Sequence, residues 1–67
     1  MEAYQKRVAE ERQALCDKLN KLESFIAGDA FAKLPAEDRD LLQEQRDCMR
    51  TYRDVLVRRI ARFRMNP

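Results

Sequence analysis

Residues 8–22, VAEERQALCDKLNKL, place an apolar side chain every seven positions, at Val8, Leu15 and Leu22, and fill half of the positions between with charge. Seven residues make nearly two turns of α-helix, so these three side chains fall in one column along one face. Working outward, Tyr4, Leu19, Phe25 and Ile26 extend the stripe in steps of three, four and seven. The pattern predicts a first amphipathic helix over about residues 3–27.

A second column follows at Leu42, Met49, Leu56 and Phe63, flanked by Leu41, Cys48, Tyr52, Val55 and Ile60. It predicts a second helix over about residues 35–64. Between the two stands FIAGDAFAKLP, residues 25–35. Here Gly28 suits a left-handed cap closing the first helix, and Pro35 suits the start of the second. Glu37, Asp38 and Asp40 then put negative charge near the positive end of that helix. Within the connector, residues 28–34, Phe31 and Leu34 are apolar and are expected to fold back over the end of the molecule. The fold class read from these features is all-α, a single domain spanning residues 1–67 and built as an antiparallel two-helix hairpin.

Sixty-seven residues, 39 % of them charged, form at most a small core. A chain of this size buries only about 60 % of its unfolded surface. Two helices also cover only one side of each other, so flanking residues such as Leu19, Ile26, Leu41, Tyr52 and Ile60 are expected to stay partly wet in a monomer. Assembly into a compact homo-oligomer is the economical remedy. The amino terminus, MEAYQKRV, is charged and lacks the apolar run of a signal peptide, and no stretch reaches the roughly 20 apolar residues of a membrane span. A soluble, cytoplasmic protein with no membrane partner is expected.

The residue inventory argues against catalysis. Histidine is absent, which removes the commonest acid/base near neutral pH and the commonest metal ligand. Cys16 and Cys48 come singly, one per helix, and read as core filling, or as a pair able to form an adventitious disulfide across the hairpin. There is no glycine-rich phosphate loop, and no cofactor or metal is expected. Binding chemistry remains. Residues 1–49 carry 8 basic and 11 acidic side chains, whereas residues 50–67 carry six arginines and only Asp54, so the carboxyl end is a cationic pole. Arginines there either complement the helix dipole or build an anion site, for which Arg59 and Arg62 are candidates. Tyr4 beside Lys6 and Arg7, and Tyr52 between Arg50 and Arg53, each set an aromatic ring near cations, a combination that stacks bases and neutralises phosphate.

YQKRVAEERQALCDKLNKLESFI, the FAKLP connector and LLQEQRDCMRTYRDVLVRRIARF together resemble the short phage anti-CBASS sponge proteins. The resemblance covers about residues 4–63. It rests on Arg7-Val8, Leu15, Lys18-Leu19, Leu22, Phe25-Ile26, Phe31, Leu34, Leu42, Gln45, Met49, Tyr52, Leu56 and Arg59-Ile60. The chain departs from the family pattern at Cys16, Val57 and Arg58. The resemblance implies helical hairpins assembled into hexamers in the host cytoplasm, holding cyclic dinucleotides between subunits and cyclic trinucleotides in separate pockets. It also implies that Tyr4 stacks on a base and that Lys18 meets phosphate.

Tyr4 and Lys18 lie fourteen residues apart, about 21 Å along a helix, twice the roughly 10 Å span of a cyclic dinucleotide. One chain cannot apply both to one ligand. If two first helices run antiparallel across a twofold axis, Tyr4 of one subunit comes level with Lys18 of its neighbour. Two other readings stay open from the residues: a small basic DNA- or RNA-binding regulator using the carboxyl-end arginines, and a structural oligomerisation hairpin. The first reading predicts binding to small cyclic nucleotides and none to long nucleic acid.

Overall fold

The computed structural model describes residues 2–65. The two apolar columns become two long helices, α1 over Ala3–Ile26 and α3 over Ala36–Met65, and a single helical turn, α2 over Asp29–Ala32, lies between them. The long helices pack on each other and run antiparallel. Tyr4 meets Phe63 at one end, while nearer the turn Arg50 Nε donates to Glu23 Oε1 at 3.0 Å. That ion pair is solvent-exposed on both sides, where such pairs contribute about 0–1 kcal/mol. The register is therefore set by the apolar seam.

Val8, Leu15 and Leu56 form the buried cluster, with Met49, Ile60 and Phe63 packed around it. Leu56, at 0 % exposure, is its centre. Leu19 departs from expectation, being 1 % exposed where the sequence suggested a partly wet flank, while Leu22 is only half-buried. The reason is geometric. A straight helix drifts about 20° per seven residues against a strict heptad, so the covered stripe passes nearer to Leu19 than to Leu22.

At the turn, Phe31 is buried and its ring stands edge-on to Phe25, with centroids 6.3 Å apart. Gly28 corrects a second expectation. Its backbone, φ −95° and ψ 172°, is extended rather than left-handed, because it serves as the N-cap of α2. The end of α1 is closed instead by Ala27 in right-handed geometry and by a Gly28 N–H to Phe25 O bond of 3.1 Å. Cys48 is a third correction: it is exposed, not core filling, and Cys16 is half-buried, both as free thiols. Seven-residue steps put Cys48 in an outer column with Leu41 and Val55, away from the seam.

The hairpin is one layer thick. Its extents are 49 × 15 × 14 Å and its radius of gyration is 15.2 Å, against about 11 Å for a compact domain of this length. It exposes 5316 Å², more than the roughly 4,500 Å² typical of a folded monomer of its mass. Leu41 is 62 % exposed, and Tyr52, Val55, Val57 and Phe25 are exposed with it. Among the described residues no helix is long and apolar enough to cross a membrane.

Leu56→Ala is expected to lower unfolding stability by about 2–5 kcal/mol. Gly28→Ala should change stability by less than about 1 kcal/mol, since the backbone angle is ordinary, an added Cβ would meet nothing nearer than Phe25 O at 3.5 Å, and only the preference for glycine over alanine at an N-cap opposes it. Thermal denaturation followed by circular dichroism measures both. A marked loss of stability in Gly28→Ala would show that the turn needs a left-handed residue after all.

Candidate functional site

The first turn of α1 is held from within and from across the hairpin. The Glu2 N–H donates to Gln5 Oε1 at 3.1 Å, and the Lys6 N–H donates to Glu2 O at 3.1 Å. Tyr4 sits in this turn with 49 % of its surface open. Its ring meets Phe63 edge-on, centroids 5.6 Å apart and planes at 89°, within the range such rings prefer. Phe63 rests in turn on the Val8, Leu15 and Leu56 cluster.

Phe63 follows Arg59 by four residues and Arg62 by one, so α3 brings two guanidinium groups to the same place. Tyr4, Arg59, Arg62 and Phe63 together line a cavity of about 280 Å³. No carboxylate among the described residues lines it. Among the described residues Arg46, Arg50 and Arg53 are paired with Asp47, Glu23 and Asp54, whereas Arg59 and Arg62 have no acidic partner. Their charge is left facing the cavity beside two aromatic rings, where guanidinium groups can grip phosphate oxygens and a ring can stack on a base. The sequence-proposed residues are thus divided. Tyr4, Arg59 and Arg62 come together; Arg7, one turn along α1, is exposed outside the cavity lining; Lys18 is exposed on the same helix about 21 Å from Tyr4.

Phe63 is the member that sequence reasoning assigned only to the seam. A hairpin turning near residue 31 sets the first turn of α1 opposite the last turns of α3, and that register was the available signal. Tyr52 does not join Arg50 and Arg53 in a second platform. It borders a shallow, mostly apolar depression of about 430 Å³ with Glu44, Asp47, Cys48 and Thr51, while both arginines are engaged elsewhere. Arg12 and Arg64 frame a further groove of about 260 Å³ over Val57, Ile60 and Ala61.

Fold and cavity together define a short helical hairpin with a cationic, aromatic-walled recess at its open end. The chain belongs to the Sequestin family, whose profile matches residues 2–62. It is similar to an uncharacterised 7.5 kDa protein from the denB–rIIB intergenic region of Enterobacteria phage T4, at 39 % identity over 64 residues, covering 96 % of this chain and all of the relative. No solved structure gives a significant match. The resemblance read from the spaced residues therefore holds at the level of the family, whose name denotes sequestration.

Proposed function

We propose that the protein is a phage anti-defence sponge that binds cyclic di- and trinucleotide second messengers in the host cytoplasm and withholds them, uncleaved, from CBASS effectors. The observation that carries this reading is the recess formed by Tyr4, Arg59, Arg62 and Phe63, which offers a stacking ring beside two unpaired guanidinium groups. At about 280 Å³ it is smaller than the roughly 300–1,000 Å³ pockets that enclose a drug-sized ligand. It suits one base with its phosphate, half of a cyclic dinucleotide.

The other half calls for a second chain. In an oligomer, such as the hexamer that the resemblance implies, two α1 helices crossing antiparallel set Tyr4 of one subunit level with Lys18 of its neighbour, and a twofold axis repeats the arrangement. A symmetric ligand then meets two tyrosines and two lysines, with Arg59 and Arg62 behind each ring and Arg7 at the rim. The exposed Leu41, Val55 and Tyr52 supply apolar surface for such assembly. The groove between Arg12 and Arg64 is the candidate second pocket for cyclic trinucleotides. Release of intact ligand is the outcome this reading expects: cleaving a phosphodiester needs a positioned nucleophile with a base or metal, and the absence of histidine supports binding over cleavage.

Tyr4→Ala and Lys18→Ala should each weaken cyclic dinucleotide binding strongly, to a level measurable only at high ligand concentration, without unfolding the protein, the first through lost stacking of about 1–3 kcal/mol per base, the second through a lost charge-assisted phosphate contact. Mixing the two variants under conditions of subunit exchange should restore partial binding in isothermal titration. In a mixed pair one half-site keeps both wild-type residues and the other keeps neither. Variants that exchange subunits yet never bind would show that the site is not shared between chains. Sedimentation at micromolar concentration should give a mass several times 8.0 kDa; a single monomeric species would overturn the shared site at once.

A further inference from the structure

Tyr4 lies in the opening turn of α1, where a helix end frays and where a ring carrying a ligand would lose the most freedom on binding. Two features of the hairpin already remove that freedom. The bond from Glu2 N–H to Gln5 Oε1 closes the turn from below, and the edge-on contact with Phe63 fixes the ring from the side. Phe63 can do this because it is half-buried against Leu56 and its neighbours, and is thus immobilised by the core itself. Edge contact also leaves part of the Tyr4 ring uncovered, consistent with its 49 % exposure. A face-to-face stack would have covered one face of the ring.

We infer that Phe63 is a positioning residue: it links the hydrophobic seam to the ligand site by holding the Tyr4 ring in its base-stacking orientation before ligand arrives, at the spot where Arg59 and Arg62 present their charge. This rests on the sequestering function proposed above, but the preorganisation of Tyr4 is a property of the free protein. The two can therefore fail separately.

Tyr4 and Tyr52 are the only tyrosines and there is no tryptophan, so in a Tyr52→Phe background all phenolic signal comes from Tyr4. Adding Phe63→Leu to that background should lower the Tyr4 emission anisotropy and collapse its near-ultraviolet circular dichroism band, with far-ultraviolet helix content kept. Unchanged anisotropy and an unchanged band would overturn the positioning role, whatever the ligand. Phe63→Leu should then weaken cyclic dinucleotide binding about three- to tenfold, the scale of a lost aromatic pair, and Phe63→Tyr, which keeps the ring edge, should recover most of it. In a Tyr4→Leu background the same Phe63→Leu change should cost less than about twofold, because residues acting through one another are not additive. An equal loss in both backgrounds would show that Phe63 acts independently of Tyr4 and sink the inference. If the wild-type protein ignores cyclic dinucleotides while Tyr4 is still ordered by Phe63, the sequestering function is wrong and the positioning contact stands.

Discussion

Everything in this molecule depends on a seam of apolar side chains one residue wide, centred on Leu56 between Val8 and Leu15. With a single glycine and 39 % charged residues, and no sheet among the described residues, the chain has little else to fix how its helices face each other. The exposed Glu23–Arg50 pair is too weak to do so. The seam sets the register, the register brings the first turn of α1 to the last turns of α3, and that meeting creates the recess lined by Tyr4, Arg59, Arg62 and Phe63. Core and recess thus share a residue, since Phe63 touches both the buried cluster and the Tyr4 ring.

The same seam explains why apolar surface stays open on the hairpin. A one-layer hairpin covers a single stripe of each helix, and the outer column of Leu41, Cys48 and Val55 is left outside. A monomer with this ratio of surface to core is marginal. In the proposed assembly the partner subunit answers two needs together: it covers apolar surface, and it delivers a lysine that geometry places out of reach of its own chain's tyrosine.

Much of this was legible in the residues. Heptad steps through Val8 and Leu15, and through Leu42 to Phe63, were sufficient for two helices because burial follows a period that the sequence states directly. The detail at the edges was not. Leu19 replaced Leu22 at the covered face because a straight helix drifts from a strict heptad. Gly28 is extended because a helical turn too short to show periodicity begins right after it. On the site side, Tyr4, Arg59 and Arg62 were visible as chemistry, yet their convergence with Phe63 depends on the exact pairing of two helices, which residue types alone do not state. Tyr52 misled for the opposite reason: its sequence neighbours Arg50 and Arg53 turn to carboxylates, and its spatial neighbours are Glu44 and Asp47.

The central claim is that this chain holds cyclic nucleotides stoichiometrically and returns them unaltered. Incubation of the protein with excess cyclic dinucleotide, removal of free ligand, denaturation and chromatography of what is released tests it directly. The account predicts recovery of intact cyclic dinucleotide, saturating at a fixed number of sites per assembly and unchanged by longer incubation. Linear products that accumulate beyond that stoichiometry, or the absence of any retained ligand, would contradict it.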